Sequence, residues 1–154
     1  MPFSVGASGV WKQAQAVSIG VGGVWKSVLN MWIGVGGVWK LMHAALSASA
    51  SPVTVGGNCN RSTAGSCSAS TANTTATPSG GSGSYSYAWE YVSGTNANIN
   101  FPTSATTNFT RGGAVANPTN NLSGVFRCKV TDTVTGVQVF TNNVTVNTNH
   151  TLSV

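Results

Sequence analysis

Charge is the first thing in short supply. Charged residues make up 6% of this 154-residue chain, against roughly 25% in an ordinary soluble domain. Glu90 and Asp132 are the two acids, and His43 and His150 the two histidines. Paired-carboxylate catalysis needs two acids side by side, and an oxygen-rich Ca²⁺ cage takes more carboxylates than these. No nucleophile, base and orienting group can be assembled from such residues. The composition therefore predicts a protein that is not an enzyme and that carries no cofactor and no metal.

Long apolar runs are missing too. No stretch approaches the ~20 apolar residues of a membrane span, so no membrane insertion is expected. Met1-Pro2-Phe3-Ser4 has neither the basic nor the apolar region of a signal peptide, so export through the general secretory route is not expected. The net charge of +5 comes from scarce acids, since Lys12, Lys26, Lys40, Arg61, Arg111, Arg127 and Lys129 are scattered singly. Nucleic-acid binding leaves a clustered basic footprint. These cations read instead as solvated surface residues, with no nucleic-acid partner. Cys59, Cys67 and Cys128 allow at most one internal disulfide and leave a thiol over, and they do not make a four-ligand zinc site.

What is present falls into two unlike parts. Gly9-Val10-Trp11-Lys12, Gly23-Val24-Trp25-Lys26 and Gly37-Val38-Trp39-Lys40 recur at a step of fourteen residues, with Val5-Gly6, Ile19-Gly20 and Ile33-Gly34 at equivalent upstream places. A repeat in register implies one small unit used several times. Ser8-Gly9, Gly22-Gly23 and Gly36-Gly37 suit two-residue turns. Such turns put Gly6, Gly20 and Gly34 across from Trp11, Trp25 and Trp39, each indole covering a bare glycine. A longer meander, with strands running on through Gln13 to Ser18, is the competing arrangement. Lys40 to Leu46 could form a short helix. Isolated hairpins are marginal in water, so the tryptophans, Trp32 included, call for a partner. Residues 1–46 are thus expected to be an anchoring and oligomerisation region, followed by a linker over 47–52 that ends at Pro52.

From 53 to 154 short runs of Val, Thr, Tyr and Phe alternate with Gly, Asn, Ser and Pro clusters. Strands are expected at 53–55, 73–77, 84–92, 107–110, 124–132, 137–141 and 143–147. Seven short strands suit an immunoglobulin-like β-sandwich, making the whole chain all-β. Alternation proposes Tyr87, Trp89, Phe126, Cys128 and Val130 for its core. Trp89 and Cys128 stand where such domains carry a core tryptophan and second cysteine. The first cysteine should fall near Thr75 or Thr77, where there is none. Cys67 could reach Cys128 from an edge segment, pair with Cys59, or stay reduced. Asp132 is expected to close a turn through its side chain.

The Val-Gly-Gly-Val-Trp-Lys units resemble short repeats near the ends of bacteriophage and prophage structural proteins. The stretch from Thr77 through Gly80-Gly81-Ser82-Gly83 to Trp89, with Ser104 to Phe109 and Phe126 to Asp132, resembles the immunoglobulin- or PKD-like domains of phage heads, tails and fibres. The resemblance implies a virion structural protein of fibre or decoration type, assembled in the host cytoplasm, with the sandwich displayed on the particle surface. Its implied partners are other head, neck or tail proteins, further copies of the chain (a trimer being one arrangement) and a weakly bound host-surface glycan. A bacterial or prophage-encoded carbohydrate-binding adhesin module is the alternative.

Overall fold

A computed structural model describes the backbone of residues 4–7, 10–13, 18–21, 23–27, 30–35, 37–116 and 119–153, with side chains chiefly from Ala44 onward. Among the described residues there is no helix. The strands are β1 (Ser4–Ala7), β2 (Val10–Gln13), β3 (Ser18–Val21), β4 (Val24–Ser27), β5 (Asn30–Val35), β6 (Val38–Ala44), β7 (Ser47–Ser51), β8 (Thr54–Arg61), β9 (Ser66–Ser70), β10 (Thr74–Ser79), β11 (Tyr85–Gly94), β12 (Asn98–Ile99), β13 (Thr106–Thr107), β14 (Phe109–Ala114), β15 (Asn120–Asp132), β16 (Gln138–Phe140) and β17 (Val144–Leu152).

Among the described residues the first six strands pair only with their neighbours, as β1–β2, β3–β4 and β5–β6, all antiparallel. Gly6 stands opposite Trp11, Gly20 opposite Trp25 and Gly34 opposite Trp39. Gly23 and Gly37 take φ of +80° and +79°, a left-handed conformation that suits glycine in a tight turn. Residues 14–17, on which the longer meander depends, lie outside the described residues, as do 8–9, Gly22 and Gly36. The stretch expected as a short helix continues β6 instead, with His43 opposite Met31 and a register shift between Met31 and Trp32. Pairing along β5 outweighs the helical preference of Leu41, Met42 and Ala44.

The rest of the chain is β-sandwich-like. β11, β15, β17 and β8 form one sheet in that order, with β16 also on β15, and β8 runs parallel to β17. Two three-stranded sheets, β7–β10–β13 and β9–β14–β12, complete the set. Just beyond β9 the Thr71 amide donates to the Phe109 carbonyl at 2.9 Å, and the Phe109 amide to the Thr71 hydroxyl at 3.0 Å.

Period-two alternation builds the core. β15 turns Phe126, Cys128, Val130 and Asp132 inward, and β17 does the same with Val144, Val146, Thr148 and His150. Trp89 meets Phe109 edge-on at 6.3 Å, and Phe109 lies 4.6 Å from Phe126. The middle of the core is apolar, while Asp132 lies buried toward one end and Arg111 and His150 toward the other.

Three expectations need correcting. Residues 47–51 are not a linker: they form β7, paired with β10, and Ala50 is in the core. Asn142 acts as a side-chain strand for them, accepting from the Ala50 amide at 2.8 Å and donating back to its carbonyl at 3.2 Å. Thr75 and Thr77 are not the inward positions of β10, which turns Thr74 and Ala76 to the core. Cys67 does not pair with Cys128. It bonds Cys59, with Cα atoms 6.2 Å apart, joining β8 to β9, while Cys128 is free and buried on β15.

Candidate functional site

The expected sites separate according to what surrounds them. Trp11, Trp25, Trp32 and Trp39 have backbone places in β2, β4, β5 and β6, but their side chains lie outside the described residues. Trp89, Phe126, Cys128 and Val130 are buried, and Tyr87 is half-buried against them. Burial pushes the Cys128 thiol up to about 11, which leaves it protonated and a poor nucleophile at neutral pH. Tyr85 and Tyr87 pack on the core, whereas Tyr91 on the same strand is 42% exposed.

Asp132 closes its turn. Its Oδ1 accepts from the amides of Val134 and Thr135, each at 3.0 Å, and from the Ser82 hydroxyl at 2.7 Å, while Oδ2 accepts from the Ser82 amide at 2.5 Å. Burial opposes ionisation of this carboxyl. The donors, led by the Ser82 hydroxyl, outweigh it and hold the group at about 2, as hydrogen bonds to a charged form do. Gly81 leaves room for the carboxylate, because a Cβ there would come 2.6 Å from Oδ2.

Arg111, read from the sequence as a solvated cation, is 4% exposed. Nε donates to the Asn96 carbonyl at 2.9 Å, and Nη1 to the Leu122 carbonyl at 3.0 Å and the Thr148 hydroxyl at 2.9 Å. Nη2 donates to the Thr95 carbonyl. Burial lowers its pKa from the ordinary value, yet a guanidinium stays charged in proteins. No carboxylate pairs with it among the described residues. His150, also unforeseen, is fully buried beside it. Its Nε2 donates to the Arg111 carbonyl at 3.1 Å, and its Nδ1 has no partner among the described residues. Gly113 makes space for the imidazole, since a Cβ there would come 3.0 Å from the ring.

The outer face of the same region is a shallow cavity of about 660 Å³ between β11 and the β12–β14 pair, lined by Glu90, Tyr91, Asn96, Asn98, Thr110 and Arg111 among others. Glu90 accepts from Arg127 Nε at 2.6 Å, and the Arg127 guanidinium lies 3.7 Å from the centre of the Phe140 ring. Among the described residues no cluster of three or more His, Cys, Asp or Glu side chains could hold a metal ion. Sequence reasoning passed over this cavity because Asn96 and Asn98 sit in a turn and a two-residue strand while the other polar residues come from β11 and β14, with no spacing that marks them as neighbours.

No family model, no curated protein and no solved structure matches the chain.

Proposed function

We propose that the chain is a non-enzymatic structural protein of a bacteriophage virion, of fibre or decoration type. The fourteen-residue units attach it to head, neck or tail proteins and assemble it with further copies of itself. An immunoglobulin-like domain is displayed outward on the particle.

The observation that carries this reading is the common register of the three N-terminal strand pairs, each setting a glycine across from a tryptophan. A two-stranded unit alone is marginal in water. Three such units, each paired only within itself, favour burial of their tryptophans against another chain. The order β11–β15–β17 in one sheet and β7–β10–β13 in another supports the immunoglobulin-like reading, because C, F and G strands and A, B and E strands neighbour one another in that way.

Light scattering of the intact chain beside residues 45–154 tests the assignment. A defined oligomer for the first and a monomer for the second is the expected result. An intact chain that remains monomeric removes self-assembly, and the carbohydrate-binding adhesin reading then takes its place.

A further inference from the structure

From the cavity between β11 and the β12–β14 pair, we infer a binding site for an uncharged saccharide. The inference rests on the displayed-domain reading above and adds the ligand class. A sugar ring presents an apolar C–H face and, around its rim, hydroxyls that both donate and accept. A site for it needs one flat apolar surface and several fixed polar groups of mixed character.

Tyr91 supplies the surface. It is 42% exposed, yet its hydroxyl donates to the Gly94 carbonyl at 2.6 Å and its ring meets Phe126 at 5.7 Å. The ring is therefore held in place before any ligand arrives, which removes an ordering cost. Asn98 and Asn96 supply the polar rim. Asn98 Nδ2 donates to Asn100 Oδ1 at 2.9 Å, and Asn100 donates in turn to Asn108 Oδ1 and Thr110 Oγ1, both at 2.9 Å. This chain fixes the Asn98 amide and leaves its Oδ1 without a donor among the described residues. Asn96 Oδ1 accepts from the Ala97 amide at 2.9 Å, which leaves its Nδ2 to donate.

The charge of the ligand follows from Arg111, the cation in the wall. The Arg111 guanidinium spends four of its five N–H donors on the Thr95, Asn96 and Leu122 carbonyls and the Thr148 hydroxyl, so it offers no two-pronged fork to a carboxylate or phosphate.

Native gel electrophoresis of the intact chain through gels containing soluble mannan, galactan or xyloglucan tests the site, with polygalacturonate as the acidic comparator. At least one neutral polysaccharide should retard the protein. Tyr91→Leu should reduce that retardation about fivefold, and Asn98→Ala should reduce it as well, with both variants still folded at the temperature of the gel. Retardation by none of the neutral polymers overturns the inference, as does retardation that Tyr91→Leu leaves intact. A retardation by polygalacturonate that Tyr91→Leu abolishes overturns the uncharged class. Self-assembly is read separately by mass, so a failed saccharide site and a failed virion reading give different results.

Discussion

The two regions of this chain reach β-structure by different routes. In residues 4–44 each strand finds its partner within a few residues, and the same glycine-to-tryptophan pairing recurs three times. From Ser47 onward strands pair across long stretches: β8 lies on β17 and β7 on β10. Local pairs order cheaply but bury little, whereas distant pairs cost more chain entropy and must be repaid by a shared core. The second region has that core in Trp89, Phe109 and Phe126. The first has repetition, and repetition becomes stabilising when copies pack together.

Truncating the core tests that contrast most severely. Phe126 is fully buried and touches the rings of Tyr91 and Phe109. Phe126→Ala should cost about 4 kcal/mol, read from urea unfolding of the C-terminal region. Light scattering of the same variant should still show the oligomer of the intact chain. If the mass collapses as well, the regions are not independent and the contrast fails.

Arg111→Met comes next. The buried guanidinium satisfies three carbonyls and a hydroxyl, and an apolar replacement leaves all four groups without a donor. A loss of about 3 kcal/mol is expected, measured by chemical denaturation. Arg111→Lys should recover a part of it, since an ammonium lacks the planar fork. A variant as stable as the parent would show that water can take over these contacts.

Much of the second region was legible because β11, β15 and β17 carry large apolar residues at alternate positions. β7, β9 and β12 were not foreseen. Ser47-Ala48-Ser49-Ala50-Ser51 alternates as regularly as β15 does, but its inward side chains are alanines, and small residues give a weak pattern. The Cys59–Cys67 bond was left open because pairing depends on β8 and β9 lying side by side, which no spacing reveals. Arg111 and His150 were illegible for a similar reason. A single arginine reads as solvated until the strands around it supply carbonyls at the right distance. Asp132 was readable, because its donors at 134 and 135 follow it directly in the chain.

Asp132 therefore gives a local, pH-dependent prediction. Its carboxyl is held at about 2 in the folded chain against an ordinary 3.8. A depressed value means the ionised form favours folding. The contribution, about 2 kcal/mol, is complete above pH 4 or so and is lost as pH falls through about 2. Urea midpoints should drop over that window, and Asp132→Asn should lower stability near neutral pH while flattening the acid slope. An Asp132→Asn protein that keeps the parent's slope would assign the acid sensitivity elsewhere.

Gly20→Val addresses the first region. A β-branched side chain would stand across the pair from Trp25, where indole-over-glycine packing needs an empty place. The expected cost is about 1 kcal/mol per chain, seen by light scattering as dissociation at higher protein concentration than the parent. Equal assembly on dilution would rule out indole-over-glycine packing as the basis of the repeat.

The smallest effect belongs to the surface pair. Arg127 and Glu90 sit 2.6 Å apart with side chains 36% and 40% exposed. Exposed pairs are screened and worth little. Glu90→Gln should cost about 0.5 kcal/mol at low salt and less as salt rises. Arg127 keeps its place over the Phe140 ring, a contact that does not need the carboxylate. Arg127 and Arg111 are thus the same residue type under opposite conditions, one stacked at the surface and one enclosed by carbonyls. Denaturation of Glu90→Gln and Arg111→Met across a salt series separates them. A salt-dependent loss belongs to the first and a salt-independent loss to the second. If Glu90→Gln instead costs as much as Arg111→Met, exposure does not set the energy of these cations.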